Sequence, residues 1–226
     1  IDIDKFHPDI EPLNKFNRFT FLFFGMWSIR KGYPQLLEAW FNEFEGKDGV
    51  QLLIKTNKPH KARQGVDELR KSLGFDKKDI GPILYETNTL DDDSLPKFLK
   101  SVDCLLSPTI GDGFAIPGIQ CLSLEIPIII TDFSGPQDYA KEETALLLKP
   151  KGFVLKDGID GVPQFMRKKW AFLSVEDIQK AMRFAVDNKE MMKQKAKNGR
   201  KLVEREFSYI KTQERFQEIM SIINNV

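Results

Sequence analysis

Two places in this 226-residue chain combine residue types that bind anions. The first is Gly25-Met26-Trp27-Ser28-Ile29-Arg30-Lys31-Gly32, a turn that carries two adjacent cations between two glycines. The second is the run from Cys104 to Gly118, in which an apolar segment ends in Gly111-Asp112-Gly113-Phe114-Ala115 and a helix is expected to start at Pro117. Proline suits a first helical position, where its missing amide leaves nothing unpaired. Free amides at a helix start, reached through glycines that admit a ligand close to the main chain, are the chemistry of an anion site. Gln120 lies one turn further on, and helical side chains tilt back toward the N-terminus, so it can reach the same cleft. A third turn, Asp132-Phe133-Ser134-Gly135-Pro136-Gln137-Asp138, repeats the pattern of glycine and helix start. Its two aspartates read more simply as caps.

Each of these residues also has a plainer reading. Arg30 and Lys31 serve equally as a solvated turn, Asp112-Gly113 as an ordinary turn pair, Gln120 as a surface residue, and Lys149 and Lys151 as exposed loop charges. The first turn is not a phosphate loop of the Gly-x-x-x-x-Gly-Lys-Ser/Thr type, because Lys31 precedes Gly32 and Tyr33 follows. Gly111-x-Gly113 lacks a third glycine and follows a late strand, which disfavours a dinucleotide fold and a nicotinamide enzyme. His7 and His60 stand apart from any cysteine or acidic cluster, so no metal site is expected.

The elements that must position these turns alternate along the chain. Strands are expected at residues 19–24, 50–55, 83–85, 103–106, 127–130 and 145–148. Several are continuous apolar runs, as strands buried on both faces are. Helices are expected at 34–44, 60–73, 91–102 and 117–124, and then, as a C-terminal set, at 174–188, 189–204 and 209–225. Short strand-to-helix connections imply right-handed crossovers and a parallel sheet, hence a doubly wound, Rossmann-like α/β fold. Residues 151–169, with Gly152, Gly158, Gly161 and Pro163, read as a long loop. The reading makes 1–18 a linker carrying Pro8 and Pro12, and 19–226 one domain.

Composition narrows the function. With 34 basic and 33 acidic residues there is no overall field to attract nucleic acid, so any anion recognition is local. The longest apolar stretch, 126–130, contains Pro127 and is far too short to cross a bilayer. The opening residues read without a secretory signal, and Cys104 and Cys121 in apolar contexts fit buried thiols in a reducing compartment. A cytoplasmic location is therefore the expectation.

The motifs resemble the second half of the retaining glycosyltransferases of the two-domain GT-B type, the group that includes sucrose and glycogen synthases. The resemblance rests on Ile1-Asp2-x-x-x-Phe6-x-Pro8, on Gly25 with Lys31-Gly32 and Leu36-Leu37-Glu38-Ala39, and on Leu95 to Pro108. It continues through Asp112-Gly113-Phe114-Ala115-Ile116-Pro117, Ile126-Pro127-Ile128-Ile129-Ile130-Thr131 and Gly135-Pro136. It implies that this half binds a nucleotide-diphosphate sugar without a metal. Lys31 would contact the diphosphate, Gly25 would let it approach, Asp112 and the amides of Gly113, Phe114 and Ala115 would hold the sugar hydroxyls, and Gln120 the ribose. The acceptor, whether saccharide, lipid or protein, would be met through an N-terminal domain outside this chain. Three positions depart from the family pattern. Glutamates usually stand where Asp112 and Gln120 are, and the arginine often found after the first glycine is Met26, with Arg30 able to substitute. A second reading stays open alongside: a nucleotide-sugar-binding or protein-interaction module that transfers nothing.

Overall fold

The computed structural model describes residues 1–156 and 167–224. Six parallel strands, β1 (Phe19–Phe24), β2 (Val50–Lys55), β3 (Ile83–Glu86), β4 (Cys104–Ser107), β5 (Ile128–Thr131) and β6 (Leu146–Leu148), form one sheet in the order β3-β2-β1-β4-β5-β6. Chain direction across the sheet reverses between β1 and β4, which makes their C-terminal ends the place where a doubly wound sheet opens a crevice.

The apolar runs behave as buried strands should. Phe21 and Phe23 of β1, Leu52 and Ile54 of β2, Cys104 and Leu106 of β4, and Ile129 of β5 all face one core. The intervening Leu22, Leu53, Leu105, Ile128 and Ile130 face the other. Side chains alternate with a period of two, so a strand covered on both faces must be apolar at every position. The first core is closed by α1 (Tyr33–Glu43), α2 (Pro59–Ser72) and α5 (Val175–Asp187). The second is closed by α3 (Ser94–Lys100), α4 (Ile116–Ser123) and α6 (Lys189–Glu206). Trp40 of α1 is fully buried between Phe21 and Phe44, and its indole N–H donates to the Gly81 carbonyl at 3.0 Å.

Expected and observed elements agree closely, with differences of up to a few residues at helix and strand ends. α4 begins at Ile116 because Ala115 takes a left-handed φ of 53° and turns the chain one residue early. α3 begins at Ser94, whose amide donates to Asp91 Oδ1 at 2.7 Å, so the acidic residues before it cap rather than continue the helix. The last helix, α7 (Tyr209–Asn224), matches its expected start.

The expected loop at 151–169 is corrected. β7 (Gly152–Lys156) and β8 (Lys168–Phe172) pair antiparallel, and the remaining positions, 157–166, lie outside the described residues. Gly158, Gly161 and Pro163, on which the loop reading rests, are among those positions. What makes the flanks a ladder is Trp170, buried in the first core at 5 % exposure and paired in register with Val154.

The first eighteen residues lie against the second core. Phe6 is buried, Ile1, Ile3, Ile10 and Phe16 pack beside it, and Arg200 of α6 donates to the carbonyls of Phe6 (2.6 Å) and Ser123 (2.8 Å). In contrast, α7 leaves Tyr209, Ile210, Phe216, Ile219, Ile222 and Ile223 each more than half exposed. Among the described residues no helix is long and apolar enough to cross a membrane.

Trp40→Ala removes the largest fully buried side chain and leaves the Gly81 carbonyl unpaired. A loss of about 3–5 kcal/mol is expected in denaturant-induced unfolding.

Candidate functional site

The turns after β1, β4 and β5 converge at the C-terminal edge of the sheet. The β1 turn is a short 3₁₀ segment, Ile29–Lys31, capped by Ser28, whose Oγ accepts from the Arg30 amide at 3.1 Å. It ends on Gly32 at φ +73°, where an added Cβ would lie 1.8 Å from the Pro108 carbonyl oxygen. Only a glycine lets this turn press onto the β4 loop so closely. Two hydrogen bonds then lock them: the Ile110 amide (2.9 Å) and the Thr109 hydroxyl (3.1 Å) both donate to the Arg30 carbonyl.

This contact brings the two cations to Asp112. Lys31 Nζ donates to Asp112 Oδ2, Arg30 lies 3.5 Å from the same oxygen, and the Arg30 guanidinium also donates to the Gly111 carbonyl at 2.8 Å. The other oxygen, Oδ1, accepts from the amide of Ala115 at 3.1 Å and from that of Phe114 at 3.5 Å. Asp112 thus caps its own loop just before α4. The β5 turn secures the loop from the other side: Ser134 Oγ (2.7 Å) and the Gly135 amide (3.1 Å) donate to the Asp112 carbonyl. A Cβ on Gly135 would lie 1.7 Å from the Gly113 carbonyl oxygen, so this approach also requires glycine.

Burial by itself would push the Asp112 carboxyl up. The hydrogen bond and charge of Lys31, the Ala115 amide and the Arg30 charge outweigh it and hold the group below its ordinary value of 3.8. The site is therefore a compensated cluster, with the side chains of Lys31 and Asp112 only 16 % and 12 % exposed.

Two clefts flank the cluster. One, about 510 Å³, is lined by Arg30, Asp112, Gly113, Phe133, Ser134 and the hairpin residues Lys168, Lys169 and Trp170. The other, about 480 Å³, is lined by Gly25, Met26, Thr56, Asn57, Asn88 and Leu90 among others. Lys31 links them, because its alkyl chain lies over Gly25 while its ammonium reaches Asp112.

Arg30, Lys31, Asp112 and Gly113 are thus brought together, whereas Gly25 lies under the Lys31 alkyl chain and opens on the other cleft. The rest are placed differently. The Phe114 and Ala115 amides point at Asp112. The Phe114 ring turns away, against Tyr139 and Phe207 at 5.3 and 6.1 Å. Ala115 is buried, and its carbonyl accepts from the Tyr139 hydroxyl at 2.8 Å. Gln120 is half-buried on α4 and lines neither cleft. Asp132 accepts from Gln137 Nε2 at 3.0 Å within its own turn. Lys149 and Lys151 pair with Glu142 and Asp177 on the surface. Cys104 and Cys121 are free and buried. Among the described residues there is no cluster of metal-ligating side chains.

Sequence reading missed Lys168, Lys169 and Trp170 as cleft residues. Their signal was the strand-like Lys-Lys-Trp-Ala-Phe at 168–172, obscured by the glycines before it.

The description Glycosyl transferases group 1 matches residues 18–157, more than half of the chain and all three turns. This chain belongs to that family. No curated protein matches it. Among solved structures, the C-terminal domain of the group 1 family protein LpcC from Francisella tularensis is 16 % identical, with a TM-score of 0.66 over 92 % of this chain and 99 % of that domain. HepE (Alr3699) from Anabaena, solved in complex with UDP and glucose, is 12 % identical, with a TM-score of 0.71 over 98 % of this chain and 55 % of its own. A glycosyltransferase from Rickettsia africae is 17 % identical, with a TM-score of 0.70 over all of this chain and 56 % of its own. The fold is that of a GT-B C-terminal domain, and the chain spans about half the length of the HepE and Rickettsia proteins.

Carboxyl-resolved NMR is expected to place the Asp112 midpoint below 3.8. Its pairing therefore contributes stability in full above that pH and loses it as pH falls through the lower, folded value. In Lys31→Met the midpoint rises, because burial is then opposed by less positive charge.

Proposed function

We propose that this domain binds a nucleotide-diphosphate sugar and serves as the donor half of a retaining glycosyltransferase that moves the sugar to an acceptor hydroxyl. The observation that carries the reading is the meeting of Lys31, from the β1 turn, with the loop of Asp112 at the start of α4, on the crevice side of the sheet. The family match supports it, as does a structurally similar protein solved with UDP-glucose.

In this reading the diphosphate competes with Asp112 for Lys31. A phosphate oxygen takes over the ammonium, and the released carboxylate turns its acceptor oxygens to the sugar hydroxyls. Asp112 is one methylene shorter than glutamate, which keeps Oδ1 within reach of the Ala115 amide during the exchange. As the sugar leaves, negative charge grows on the diphosphate, and the preset positions of Lys31 and Arg30 stabilise it without reorganisation. The acceptor hydroxyl attacks from the same face as the leaving group, so the anomeric configuration is retained. A micromolar-to-millimolar affinity requires about −8 to −4 kcal/mol. A charge-assisted contact contributes about 1.5–3 kcal/mol of this. Base and ribose contacts supply the rest, for which the Gly25 cleft is the proposed surface.

The acceptor site belongs to another part of a longer protein, to which residues 1–18 lead. The apolar residues left uncovered on α7 fit such a neighbour.

Lys31→Ala is expected to weaken nucleotide-sugar binding at least about tenfold, close to 1.4 kcal/mol, in calorimetric titration of UDP-, GDP- and ADP-sugars. An unchanged affinity removes Lys31 from the role. Lys31 and Arg30, not a metal ion, meet the diphosphate charge, so EDTA is expected to leave the affinity unaltered.

A further inference from the structure

The cleft on the β5 side of the cluster holds more positive charge than Asp112 answers. β8 brings Lys168 and Lys169 to its wall, opposite Asp112, Gly113 and Ser134. Asp112 is the single carboxylate among the residues lining that cleft, and Lys31 and Arg30 already compensate it. Both β8 lysines are exposed, and among the described residues neither has an ion-pair partner.

These lysines are not carried on an unanchored loop. Trp170, next in sequence, packs against Gly111 so tightly that a Cβ there would meet its ring at 2.9 Å. The Ala171 amide donates to the Ile110 carbonyl at 2.8 Å. Both anchors sit within two residues of Asp112, so they fix the lysines relative to the Asp112 loop. A stem of this kind is where rigid placement of charge is worth most, because less side-chain and backbone freedom is lost on binding.

The diphosphate proposed above is met from the other side, through Lys31, and shares with this cleft only Arg30. Gly25, over which Lys31 lies, opens on the opposite cleft. Lys168 and Lys169 add two positive charges to a cleft whose single lining carboxylate is already compensated, so an anion entering there meets unanswered positive charge. We propose that Lys168 and Lys169 form a separate anion subsite, one that takes a carboxylate or phosphate borne by the transferred sugar or by the acceptor rather than by the nucleotide. The assignment rests on the donor reading for its ligand and on the β8 geometry for its place.

The test compares charged and neutral partners on this chain. In the donor arm, the nucleotide that binds is titrated by calorimetry as its glucose and glucuronate forms. In the acceptor arm, glucose and glucose 6-phosphate are titrated by NMR, with and without the nucleoside diphosphate. The expected result is a preference of about tenfold for the charged member in one arm, with shifts at the Lys168 and Lys169 amides, lost in Lys168→Ser/Lys169→Ser. Equal affinity for charged and neutral members in both arms overturns the subsite. So does a double variant that loses the bare nucleoside diphosphate as severely as the charged sugar, because the lysines then serve the diphosphate. Failure of every nucleotide to bind sinks the donor reading instead, and the glucose 6-phosphate arm without nucleotide still decides the subsite.

Discussion

The site depends on one close approach, that of the backbone at Gly32 to the carbonyl of Pro108. It sets the β1 turn directly on the β4 loop and lets the Arg30 carbonyl take hydrogen bonds from both Ile110 and Thr109. β1 and β4 are neighbours in the sheet only because the chain reverses its winding there. The reversal creates the crevice, and the glycine contact fixes its two lips at a set distance. Arg30 and Lys31 then have little choice of partner, and Asp112 is the acidic group within reach.

The Asp112 carboxylate occupies two roles at once. One oxygen satisfies amides at the start of α4, and the other neutralises Lys31 and Arg30. A buried cation without a partner is costly, so the ligand-free site needs this internal anion. The arrangement also gives a physical account of why the amides next to α4 are not an open anion trap in this chain. Asp112 fills it. A ligand must offer at least as much negative charge as the carboxylate it displaces, which a diphosphate does and a neutral sugar does not.

Much of this was legible in the sequence. The apolar runs at 19–24 and 50–55 fix β1 and β2 to the residue, since full two-sided burial leaves no other pattern. Ser174 as a cap, with Glu176 and Asp177 in the first turn, marks α5 correctly. Arg30, Lys31 and Asp112 were singled out by type and spacing alone. The hairpin was not legible, because glycine and proline near a strand dominate local patterning, whereas Trp170 is held by residues sixty positions away in the first core and at Gly111. The outward turn of Phe114 was equally hidden, since it depends on Tyr139 and Phe207.

By itself the sequence determined the alternation of strands and helices, the parallel sheet and the three turns at its crevice edge, because periodicity and turn chemistry are local properties of the chain. Only the tertiary structure decided that Lys31 and Arg30 answer Asp112, that Gly25 and Gly113 open on different clefts, and that β8 places two lysines beside the site. These are contacts between residues far apart in the chain, and they are set by how closely backbones can approach, a quantity that no single stretch of sequence contains.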